Sequence, residues 1–95
     1  MELTKFERML MHNHIIAYAI GTAIRDGIEV TEKNLMNIID ENEEVVESAL
    51  AFKVFASLDE EMTQDAFCEY SFITCMEEFG EEIMEQIVDV MEQFQ

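Results

Sequence analysis

Glu78, Glu82, Glu85, Asp89 and Glu92 step along the end of the chain by 4, 3, 4 and 3 residues. On a helix this spacing puts all five carboxylates on one side. At a rise of about 1.5 Å per residue their average separation is roughly 5 Å along the axis. Successive phosphates of a DNA strand rise by ~3.4 Å and lie somewhat farther apart through space, so the two rulers are comparable. Glu77 and Glu81 widen the ridge, and Glu61, Asp65 and Glu69 make a shorter row at i, i+4 and i+8. The chemistry open to such a surface is recognition of Lys and Arg.

Reactive chemistry finds less support. His12 and His14 are two apart, on different sides of a helix, and cannot form an i, i+4 metal pair; each is expected at the surface or its boundary. No H-E-x-x-H or Glu-x-x-His motif is present. The run from Asp40 to Glu44 resembles the start of a calcium loop, but Val45 and Ala51 stand where the sixth-position Gly and twelfth-position Glu are needed. Ser48, Ser57, Ser71 and Thr74 fall in helical patterns without a nearby His, and no glycine-rich turn offers an oxyanion hole or phosphate cradle. Cys68 and Cys75, two turns apart on one helix, are too distant to pair and are expected as reduced, buried thiols. No catalytic residue, metal site or cofactor is expected, and the chain is read as not an enzyme.

Helices must position the acidic rows. Thr4-Lys5-Phe6-Glu7 has capping-box spacing, so a first helix should begin near Lys5 and end near Arg25, before Gly27. Gly21 inside it suggests close helix–helix approach. Thr31 is the next candidate cap, for a short helix from about Glu32 to Ile39 presenting Leu35, Met36, Ile38 and Ile39 to the core. Asp40 is the following cap. A third helix carries Val45, Val46, Ala49, Leu50, Phe52, Val54 and Phe55 over most of its circumference, as in a helix that is central or shared between subunits. Asp59-Glu60-Glu61 marks a further start. Phe67, Cys68, Phe72, Cys75, Met76 and Phe79 form its buried stripe, continued past Gly80 by Ile83, Ile87, Val90, Met91 and Phe94 with the phase moved by one residue. That shift points to a break or bend at Gly80, or to one long bent helix from Glu60 to Gln95. The fold class is therefore all-α: one acidic domain over residues 1–95, a small bundle of four to five helices.

Composition agrees with this reading. The 95 residues hold 22 acidic and 5 basic side chains, a net charge of −17, with 49% apolar residues and no Pro. So many apolar residues exclude the disorder of a hydrophobe-poor acidic chain, and scarce turn-formers exclude a sandwich of many short strands. Direct binding to nucleic acid or to an anionic membrane is disfavoured, since both require clustered cations. No apolar run could span a bilayer and the N-terminus lacks the pattern of a secretory peptide, so the expected location is cytoplasmic, the host cytoplasm if the protein is phage-encoded.

Charge is also unevenly distributed. Lys5, Arg8, Arg25, Lys33 and Lys53 all lie in the first 53 positions, which carry net −5. The remaining 42 residues have twelve acids and no Lys or Arg, net −12. Solvated helix faces normally use Glu–Lys pairs worth ~0.2–0.5 kcal/mol each, whereas like charges at i, i+4 cost a similar amount. A net charge of magnitude ~2–8 serves solubility, so roughly half of this charge is surplus to that need. A halophilic host would spread acidity over the whole surface.

Small size, an apolar helical core and unpaired carboxylate rows together resemble the acidic DNA-mimic inhibitors of phages and mobile elements, the anti-restriction and anti-CRISPR proteins and the inhibitors of uracil-DNA glycosylase. The resemblance is one of character, carried by Glu77, Glu78, Glu81, Glu82, Glu85, Asp89 and Glu92. It implies a non-catalytic inhibitor occupying the basic DNA- or RNA-binding channel of a host defence or DNA-processing protein. The alternative is a helical interaction module, an adaptor or regulator, docking through Phe and through Met9, Met11, Met36, Met62, Met76, Met84 and Met91. A homodimer through the less acidic N-terminal half is expected in either case.

Overall fold

The computed structural model describes residues 5–48 and 64–93, with side chains placed from His12 to Ser48 and from Cys68 to Gln93. The described residues form five helical segments and no strand: α1 (Lys5–Asp26), α2 (Glu32–Glu41), α3 (43–48), α4 (Gln64–Phe79) and α5 (Glu81–Gln93). The all-α reading therefore holds. None of these helices is long and apolar enough to cross a membrane. The capping box at Thr4 and the expected start at Asp59-Glu60-Glu61 lie outside the described residues.

The centre of the bundle is α1, packed by α2, α4 and α5. From Ala17 to Ala23 every residue is buried. Ala17, Ala19, Gly21 and Ala23 are small enough for neighbouring helices to approach on several sides. The third helix is the one expected to be central or shared between subunits. In its described part Val45 is buried and Val46 exposed, while Ala49 to Phe55 lie outside the described residues.

Gly21 has the role its position suggested. A Cβ placed there would lie 2.6 and 2.8 Å from Cδ2 and Cζ of Phe79, so the missing side chain is the socket for that ring. Tyr18 meets the same ring edge-on at 5.0 Å between centroids, and the Arg25 guanidinium lies 5.4 Å from its centre. These contacts pin the C-terminal end of α4 to α1.

Termination follows backbone chemistry. Gly27 has φ +70°, and the bonds Gly27 N–H to Ile24 O (3.3 Å) and Ile28 N–H to Ala23 O (2.8 Å) form a Schellman stop. Thr31 caps α2, its hydroxyl accepting from Asn34 N–H at 3.1 Å. The next cap is Asn42 rather than Asp40, which lies inside α2. Asn42 N–H bonds Ile38 O at 2.9 Å to end α2, and its Oδ1 accepts from Glu44 N–H at 3.0 Å to open α3.

Several expected core positions are also corrected. Leu35 and Ile38 are buried on α2, but Met36 is 55% exposed. Cys75 is buried, with Met76 and Phe79 packed against the core, whereas Cys68 and Phe72 are exposed. Burial pushes the Cys75 thiol up to about 11, partly opposed by a hydrogen bond from Ser71. On α5, Met84 and Ile87 are buried, with Ile83, Val90 and Met91 partly so. Phe67 and Phe94 lie outside the described side chains.

Candidate partner-binding surface

Gly80 decides how the acidic residues are distributed. With φ +87° it ends α4 in the left-handed region, its N–H bonding Met76 O at 2.9 Å, while its carbonyl accepts from Met84 N–H at 3.0 Å and starts α5. The segment is two helices rather than one. Consequently the five-carboxylate row is divided: Glu78 belongs to α4, and Glu82, Glu85, Asp89 and Glu92 run along α5, joined by Glu81.

On α5 these five acids are exposed and fall within about 100° of arc, from the residue spacing of 3.6 per turn. They face away from buried Met84 and Ile87. None is in an ion pair with a described residue. Glu81 and Glu82 occupy the first turn, where the macrodipole favours carboxylates by ~0.3–1 kcal/mol each. Glu85, Asp89 and Glu92 have no such support, and α5 has no basic residue in its last turn. The like-charge neighbours Glu81–Glu85, Glu82–Glu85, Glu85–Asp89 and Asp89–Glu92 together cost on the order of 1–2 kcal/mol.

Glu77 and Glu78 close α4, at the helix end that disfavours negative charge. Glu78 is offset there, which corrects the view that the C-terminal carboxylates are all uncompensated. Arg25 binds it at 3.1 Å and also reaches Asp26 at 3.5 Å and Glu44 at 3.6 Å. Glu77 and Glu78 border a cleft of ≈ 470 Å³ whose wall includes Tyr18, Ser48 and Thr74 and whose other acids are Glu44 and Glu47. Sequence reasoning did not select Glu44 and Glu47; their three-residue step on α3 was the available signal. Burial, then the neighbouring Glu78 and Glu44 carboxylates, push the Tyr18 phenol up to about 12. Glu69 is exposed on α4. The side chain of Asp65 and the whole of Glu61 lie outside the described residues, so the shorter acidic row is represented by Glu69 alone.

His14 overturns two expectations. It is 1% exposed, and its ring joins three helices, Nδ1 at 2.5 Å from Ser71 Oγ on α4 and Nε2 at 2.7 Å from Ser48 Oγ on α3. Two of the serines read as lacking a nearby His therefore share one. Burial lowers the imidazole to about 4, so the ring is neutral at pH 7, one nitrogen donating and the other accepting. A base so weak is poorly matched to proton abstraction at neutral pH. The arrangement is a satisfied polar tie within the core. His12 is exposed, as expected.

A second groove, of ≈ 420 Å³, runs between α4 and α5. Phe72, Met76, Met84 and Val88 line it, and Glu81, Glu85 and Asp89 stand on its border. Phe72 and Val88 are 46% and 40% exposed. Of the methionines offered as a docking surface, Met84 is buried, Met76 and Met91 pack on the core, Met36 is exposed on α2, and the side chains of Met9, Met11 and Met62 lie outside the described ones. Among the described residues no three His, Cys, Asp or Glu side chains are grouped to hold a metal ion. No protein family, curated protein or solved structure matches the chain.

Proposed function

We propose that this protein is a non-catalytic inhibitor that imitates nucleic acid and occupies the basic DNA- or RNA-binding channel of a host defence or DNA-processing protein. The observation that carries this reading is the exposed face of α5, where Glu81, Glu82, Glu85, Asp89 and Glu92 lie on one rigid element without a described counter-ion. Mutual repulsion along that face opposes folding, and a cationic partner would relieve it. Carboxylates preset on a helix meet Lys and Arg without the bending or strand separation that nucleic acid requires. Association is then fast and weakens steeply as salt rises.

The test is capture of host proteins on the immobilised chain, with elution by duplex DNA or RNA. Nucleic-acid-binding proteins should be retained at low salt and displaced by the competing nucleic acid. Reversing Glu82, Glu85 and Asp89 to Lys should abolish retention; undiminished retention by that variant overturns the proposal. A homodimer through the N-terminal half is part of the same reading, and sedimentation at micromolar concentration showing only the 11.1 kDa species would count against it.

A further inference from the structure

The α4/α5 groove combines features that a purely electrostatic surface does not need. Scattered exposed hydrophobes are ordinary on a protein, but Phe72 and Val88 meet across one concavity. Three carboxylates, Glu81, Glu85 and Asp89, edge the same concavity. A second copy of the chain would place its own acids against that edge, so charge selects a cationic occupant. We infer that this groove seats a basic amphipathic helix of the partner protein, with large apolar side chains against Phe72 and Val88 and Lys or Arg against Glu81, Glu85 and Asp89.

Dimensions fit that occupant. Glu81, Glu85 and Asp89 span eight residues, about 12 Å along α5, the same length that Lys or Arg at i, i+4 and i+8 of an incoming helix would cover. No strand edge among the described residues is available for pairing with an extended peptide. The inference rests on the proposal that α5 receives a cationic surface, and it adds that apolar anchors of the partner contribute beside the charges.

The probe is a fluorescent Leu/Lys peptide of about four turns, its leucines at i, i+3, i+4 and i+7, compared with a scrambled peptide of identical composition. Anisotropy is measured against the full chain at low and high salt. The patterned peptide should bind at least ~10-fold more tightly than the scramble, equivalent to about 1.4 kcal/mol. Phe72→Ala combined with Val88→Ser should erase that difference while leaving the salt dependence intact; Val88→Ser alone should reduce it. Both positions are exposed already, and circular dichroism checks that the helices persist. Equal affinity for the two peptides, or a difference unchanged by the apolar substitutions, overturns the groove. If the Lys variant at Glu82, Glu85 and Asp89 binds both peptides as tightly as the unaltered chain, the underlying anionic-receptor reading fails instead.

Discussion

His14 is the residue at which pH acts on the fold. Its ordinary value near 6.5 is lowered to about 4 by burial, so the unfolded chain takes up a proton before the native one does. The stabilisation is fully present above pH ~6.5 and is lost as pH falls towards 4, in total on the order of 3 kcal/mol. Urea unfolding of the native chain between pH 7 and 5 should show this decline, and His14→Gln should flatten it; parallel curves for the two proteins would remove His14 as the cause. Gly21→Ala is a second test at this scale. In an open helix it would stabilise by ~1 kcal/mol, but the added methyl collides with Phe79, so a net loss of ~1–3 kcal/mol is expected in thermal unfolding. The glycine was legible in the sequence as a point of close approach. Its partner was not, because Phe79 is far along the chain. Likewise nothing local distinguishes buried His14 from exposed His12, since the serines that satisfy its nitrogens come from two other helices.

At the scale of elements, starts and stops were largely legible because they are local chemistry. Gly27 and Thr31 stand where backbone amides and carbonyls run out of intrahelical partners, and α1 ends and α2 begins there. Thr31→Ala should cost about 1 kcal/mol through the lost cap. Asp40 misled because Asp and Asn both cap, and the geometry of the α2–α3 corner selects Asn42. Gly80 was visible as a phase shift, and the structure resolves it as a full break. Gly80→Ala should destabilise by about 1–2 kcal/mol, since φ +87° is strained for any residue with a Cβ. If it instead raises the melting temperature, α4 and α5 have fused into one continuous helix and the division of the acidic row is not obligatory.

For the whole molecule, the surplus charge should be measurable as a stability cost. Replacing Glu85, Asp89 and Glu92 with their amides removes like-charge neighbours on α5. The expected gain is on the order of 1 kcal/mol at low salt, shrinking as added salt screens the repulsion. A melting temperature unchanged at low salt would mean that repulsion along α5 is already negligible. The same variant should bind cationic partners more weakly, so stability and recognition should move in opposite directions.

Composition, periodicity and end signals by themselves determined that the chain is helical, where most helices lie, and that acidity is concentrated towards the C-terminus. Each of these depends on contacts within a few residues or on a simple sum of charges. Tertiary structure decided the rest: α1 at the centre of the described helices, Arg25 taken up by Asp26, Glu44 and Glu78, and an apolar groove opening beside the acidic face of α5. Such outcomes depend on which helix faces which, and that follows from the fit of small residues against large ones across the bundle. Ala17, Ala19, Gly21 and Ala23 look weakly hydrophobic in a linear reading, yet their lack of bulk is what permits α2, α4 and α5 to close on α1.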